Sequence, residues 1–139
     1  MYFMKTSRSE LRDKIVTILY QVNIYEKCNV SFDIDKIIKD NYLVKSNFID
    51  DIVYGVIEKK DELTKVINKY MSTWTLDRLG LIDQAILLMS TYEILYYNTP
   101  NVVCINEAIE LAKKYSDDKV VSLINAVLDK ILDEEVKDE

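Results

Sequence analysis

Two glycines and one proline are all that 139 residues contain of the strongest chain-turning types. Hairpins take their turns from such residues, so three positions cannot punctuate a series of short strands. The chain is therefore read as all-α, and apolar spacing supports that reading along most of its length. A helix begins at Ser7, where Ser7-Arg8-Ser9-Glu10 has the S-x-x-E capping pattern, and Leu11, Ile15, Ile18, Leu19 and Val22 form its apolar stripe. The polar stretch 26–32 reads as a loop. Asp33 caps a short helix carrying Ile34, Ile37, Ile38 and Tyr42, and Ser46 caps the next, whose stripe runs from Phe48 to Ile57. The charged cluster Glu58 to Glu62 marks a kink or break before Leu63, Val66, Ile67 and Tyr70. Gly55 lies inside a stripe, where glycine costs about 1 kcal/mol against alanine, and so points to a close helix crossing. Thr75 reads as the cap of a long, almost wholly apolar helix, Leu76 to Tyr97, that belongs at the centre of the bundle. Asn98-Thr99-Pro100 ends it, a further helix spans about Val103 to Tyr115, and Ser116 caps a last one from Asp117 to about Asp133. Six or seven helices result, in one domain over 1–139 with a short acidic tail from about 133.

The same composition removes most catalytic chemistry. There is no histidine, the usual proton carrier near neutral pH and the commonest metal ligand, which excludes most hydrolytic triads and zinc sites. No phosphate-binding glycine loop and no C-x-x-C occurs. The adjacent acidic pairs Asp50-Asp51, Asp117-Asp118 and Glu134-Glu135 diverge by about 100° on a helix and read as solvated surface. No catalytic residue, metal site or cofactor is expected. Cys28 and Cys104 are unclustered; with no signal peptide in view they fit a reducing, cytoplasmic setting and read as buried or idle thiols. Every apolar run is interrupted by charge before the roughly 18 residues that a membrane span needs.

Charge is unevenly placed. Eighteen basic residues against 24 acidic ones leave a net of −6. Residues 1–14 oppose Lys5, Arg8, Arg12 and Lys14 to Glu10 and Asp13, net +2, whereas 129–139 are net −4. An acidic body repels nucleic acid, so any such binding is confined to the N-terminal end. Arg8 and Arg12, four apart and off the apolar stripe, read as an exposed basic edge able to straddle adjacent phosphates. The plainer alternative is a solvated helix start. Of the ten tyrosines, Tyr92, Tyr96 and Tyr97 read as structural, while Tyr20 and Tyr115, near helix ends, are candidates for surface contacts. Periodicity alone reaches a helical interaction domain.

A resemblance goes further. The run Trp74-Thr75-Leu76-Asp77-Arg78-Leu79-Gly80-Leu81-Ile82-Asp83-Gln84-Ala85-Ile86-Leu87, the segment Tyr92-Glu93-Ile94-Leu95 and the string Ile105-Asn106-Glu107-Ala108-Ile109-Glu110-Leu111-Ala112-Lys113-Lys114-Tyr115 resemble the NusB family of bacterial transcription antitermination factors. Pro100, Asn125 and Val127 to Ile131 fit the same pattern, as do Tyr54-Gly55-Val56 and Leu19-Tyr20-Gln21; residues 23–44 are the least similar. The resemblance implies two perpendicular three-helix bundles around one core. It implies binding of single-stranded boxA RNA together with NusE, the small-ribosomal-subunit protein S-ten, in an RNA polymerase antitermination complex acting chiefly on ribosomal RNA operons, with no reaction catalysed. Some relatives form homodimers. By position, the RNA-binding residues are Lys5, Arg8, Arg12, Lys14, Tyr115, Ser122 and Leu123, and the partner-binding residues are Tyr20, Asp77 and Asp83. Ser122 and Leu123 replace a usual lysine and phenylalanine. With about four basic contacts the salt slope on single-stranded RNA is about −3. A protein–protein adaptor on the same fold, with weak or no RNA binding, is the competing reading.

Overall fold

The computed structural model describes residues 7–136. Among them are seven α-helices and one 3-10 turn, with no strand: α1 (Arg8–Lys27), α2 (Ile34–Asn41), α3 (Asn47–Glu58), α4 (Lys60–Lys69), the 3-10 turn Leu76–Arg78, α5 (Leu81–Tyr96), α6 (Asn101–Tyr115) and α7 (Asp118–Glu135). Four helix starts are capped by side chains. Ser7 Oγ accepts from Glu10 N at 3.2 Å, Asp33 from Lys36 N at 3.3 Å, Ser46 from Ile49 N at 3.2 Å and Asp117 from Val120 N at 3.0 Å. Each such cap contributes about 1 kcal/mol.

Four boundaries differ from the sequence reading. Helix α1 continues through Glu26 to Lys27 instead of ending in a loop. Thr75 caps nothing: its hydroxyl donates to the Asp77 side chain, and α5 starts only at Leu81, after Gly80. Packing is the reason. Leu76 and Leu79 are both buried, and Leu76 N donates to Asn68 Oδ1 at 2.7 Å, which draws this segment towards α4 and off the α5 axis. Ser116 is likewise not the cap of α7, since Asp117 takes that place and the Ser116 hydroxyl donates to Asp83. Helix α7 runs on to Glu135, which Lys69 and Tyr70 hold, so the first residues of the expected acidic tail are helical.

Helix α5 packs against α1, α3, α4, α6 and α7. Residues Ala85 to Met89 are buried consecutively, so its middle has no solvated face, as its all-round apolar sequence requires. Gly55 lets α3 approach α5 closely, because the ring end of Tyr92 occupies the space a Cβ would fill. Both cysteines are free: Cys28 is exposed at the end of α1, and Cys104 is buried. Burial, and next the nearby Glu93 carboxylate, push the Cys104 thiol up to about 12.

Candidate nucleic-acid interface

The N-terminal half of α1 meets the C-terminal end of α6. Asp13 on α1 accepts from both Lys114 Nζ and the Tyr115 hydroxyl, an ion pair and a hydrogen bond that tie the two helices together at this point. Between them lies a cleft of about 410 Å³ lined by Glu10, Asp13, Lys14, Thr17, Lys114 and Tyr115. Lys14 is exposed, and Tyr115 is 41% exposed with Lys114 Nζ 5.1 Å from its ring centroid. Partial burial alone would raise Asp13, yet the Lys114 and Tyr115 hydrogen bonds outweigh it and hold the carboxyl below its ordinary value of 3.8. Lys114 is raised above 10.5 by the same contact, and Tyr115 above 10.0, chiefly by burial and then by Asp13. An aromatic ring and two ammonium groups therefore share one cleft with two carboxylates. Lys114 escaped the sequence reading of the site; its place beside Tyr115 at the basic end of a helix was the available signal.

The two arginines part company. Arg8, in the first turn of α1, is exposed with its guanidinium carbon 4.6 Å from the Phe48 centroid. Arg12, expected on the same exposed edge, is buried with 2% exposure. Its Nε and Nη2 donate to the two Glu93 oxygens at 2.9 and 2.7 Å, and its Nη1 to Glu107 Oε1 at 3.2 Å. Thr99 donates to Glu93 at 2.8 Å, and Ser9 to Glu107. Burial opposes the Arg12 charge, but the Glu93 hydrogen bond and both carboxylates overcome it and hold the guanidinium more firmly protonated than usual. Arg12 is therefore not on the exposed edge that its spacing suggests: its guanidinium faces two carboxylates, not solvent. The physical reason was legible in part. Arg12, Val16, Leu19 and Asn23 form a second buried row on α1, and Glu93, the one charged residue of α5 beyond its first turn, needs a buried cation.

The other expected site residues are dispersed. Lys5 lies outside the described residues. Ser122 is exposed on α7; Leu123 is partly buried and faces a different groove, with Trp74. Tyr20 is half-buried on α1. Asp77 is exposed on the 3-10 turn, where it lines a cleft with Asn23, Lys27, Lys60 and Gln84. Asp83, half-buried in the first turn of α5, accepts from Ser116, the residue after Tyr115. Asp83 thus borders the Tyr115 end of the molecule, whereas Asp77 opens onto a separate cleft. Among the described residues no group of three His, Cys, Asp or Glu side chains is placed to hold a metal ion, and no helix is long and apolar enough to cross a membrane.

Comparison with known proteins agrees with this helical arrangement. The sequence model of the NusB family matches residues 9–133. The chain is 38% identical over 130 residues to the transcription antitermination protein NusB of Macrococcus caseolyticus, an alignment covering 91% of this chain and 96% of that protein. It is 37% identical over 141 residues to the protein of the same name from Thermodesulfovibrio yellowstonii, with 93% of each covered. A solved structure of T. maritima NusB superposes with a TM-score of 0.82 at 28% identity, covering 94% of both chains. A chain from the crystal structure of antitermination factors NusB and NusE in complex with dsRNA reaches a TM-score of 0.77 at 20% identity, covering 91% of this chain and 96% of that one; this likeness is one of fold.

Proposed function

Because this chain belongs to the NusB family, we propose that it is a transcription antitermination factor that binds single-stranded, boxA-type RNA together with NusE and catalyses no reaction. On this reading residues 1–139 act as one helical domain in the bacterial cytoplasm. Family membership over nine-tenths of the chain is the observation that carries the reading, and the Tyr115 cleft supports it. Tyr115 offers a ring to an unstacked base, while Arg8, Lys14 and Lys114 offer donors to the phosphates on either side. With Arg12 withdrawn, and Lys114 shared with Asp13, about three cationic contacts remain, and the salt slope falls to about −2. So weak an electrostatic grip makes NusE a necessary second hold, through surfaces that include Tyr20, Asp77 and Asp83.

The test is RNA binding by fluorescence anisotropy across a salt series, with and without NusE. A gain in affinity with NusE, and a shallower slope in Arg8→Ala, supports the reading. The adaptor reading rests on a different observation: Glu10 and Asp13 place two carboxylates in the cleft beside the two lysines. Retained NusE binding with no RNA shift at low salt decides for the adaptor.

A further inference from the structure

We propose that Trp74 and Leu123 form a second stacking site, which takes one unpaired base of a single-stranded RNA already held at the Tyr115 cleft. The proposal rests on the RNA-binding reading above. Trp74 is the only tryptophan in the chain and is 54% exposed, in the segment between α4 and the 3-10 turn. With Met71, Ser72, Thr73 and Leu123 it lines a groove of about 270 Å³. Leu123 carries no aromatic face, and Trp74 supplies one across the groove. The Arg78 guanidinium carbon lies 5.7 Å from the Trp74 ring, which leaves a cation at the edge of an apolar slot. Neighbouring Asp77 is directed to the Thr75 hydroxyl.

Location and chemistry favour a nucleic-acid base as the occupant. Tyr115 ends α6, Asp118 begins α7, and Leu123 follows about 7.5 Å further along the α7 axis. The Ser116–Asp83 hydrogen bond ties the α6–α7 turn to the first turn of α5, the helix that the Trp74–Arg78 segment leads into. The groove thus opens, through Leu123, beside the second turn of α7, the helix that the α6–α7 turn joins to Tyr115. Lys119 and Leu123 are four apart on that helix, so an exposed ammonium stands one turn from the groove on the Tyr115 side. An apolar peptide side chain uses the indole but neither flanking cation. A nucleotide uses all of these features: its base stacks on Trp74, and its phosphates lie near Arg78 and Lys119.

Because Trp74 is unique, its emission reports on this groove alone. A dye-labelled single-stranded RNA of about 12 nucleotides is titrated against the full chain, with NusE present, while anisotropy and tryptophan emission are recorded in parallel. Any emission from NusE is removed by subtracting a sample in which Trp74→Phe replaces the wild type. The expected result is quenching of Trp74 in step with anisotropy, a loss of about 5- to 150-fold in affinity for Trp74→Ala, and recovery in Trp74→Phe. RNA binding with unquenched emission and unchanged affinity of Trp74→Ala overturns the proposal and leaves the Tyr115 reading intact. Absence of RNA binding by the wild type overturns both. Quenching by NusE alone, with RNA affinity unaffected by Trp74→Ala, overturns the proposal in favour of a protein contact. Trp74 is half-exposed, so unchanged circular dichroism in the variants confirms that only the groove was altered.

Discussion

Replacing Arg12 by alanine deletes three charge-assisted hydrogen bonds and strands Glu93, 1% exposed, without its cation. Glu107 is less affected, because its side chain keeps 22% exposure and can turn to water. Leaving one member of a buried ion pair unpaired costs about 3–5 kcal/mol, against a total stability of about 5–15 kcal/mol for a domain of this kind. The midpoint of thermal unfolding should fall by about 10–20 °C, and the urea midpoint should fall without a large change in slope. Arg8→Ala removes only an exposed contact with the Phe48 ring and should cost about 1 kcal/mol or less. Circular dichroism of both variants in urea separates the two arginines. A double variant, Arg12→Met with Glu93→Met, should recover part of the loss, since an apolar pair avoids the desolvation of two charges. If Arg12→Ala costs less than about 1 kcal/mol while RNA binding collapses, Arg12 is a ligand-facing residue and the buried network assigned above is wrong.

Three further outcomes follow from the packing. At about pH 8 a thiol reagent should titrate Cys28 alone in the native protein and both thiols in denaturant; native labelling of Cys104 contradicts its burial and raised thiol. Gly55→Ala forces the Tyr92 ring aside and should destabilise by about 1–3 kcal/mol. In a Tyr92→Leu background the same change should become neutral or stabilising by up to about 1 kcal/mol, and equal effects in both backgrounds remove the ring as the cause. Asp13 is held below 3.8 when folded, so its contribution is complete above the unfolded carboxyl value and is lost as pH falls through the folded one. A carboxyl NMR titration of Asp13 with its midpoint at or above 3.8, or Lys114→Ala leaving that midpoint unmoved, contradicts the pairing.

Most of the fold was legible because its signals are local. Ser7, Asp33 and Ser46 each cap the helix that their spacing indicates, and the buried stripes of α1 and α3 follow 3.6-residue periodicity. Thr75 misled because its hydroxyl bonds locally to Asp77 while the Asn68 contact draws the following segment off the α5 axis, and Ser116 because a contact 33 residues away takes its hydroxyl to Asp83; neither choice of partner is decided by sequence spacing. The same limit governs the site. Arg12 reads as exposed when helix faces are sorted by polarity alone; it is buried because Glu93 and Glu107 arrive from two distant helices. These glutamates stand within the Tyr92–Leu95 and Ile105–Tyr115 strings that carry the family resemblance, so part of that signature is a receptor for the chain's own arginine. Lys114 beside Tyr115 was visible, but its position opposite Asp13 depends on the α1–α6 packing.

The Arg12 tie also constrains the order of events during synthesis. Its two carboxylates lie 81 and 95 residues downstream, so α1 leaves the ribosome with its counter-charges still untranslated. Loop closure over such separations is slow, and the first helix cannot settle until α5 and most of α6 have emerged. A truncated product ending before Glu93 keeps a solvated guanidinium and an apolar helix without its central support, which marks it for aggregation or proteolysis.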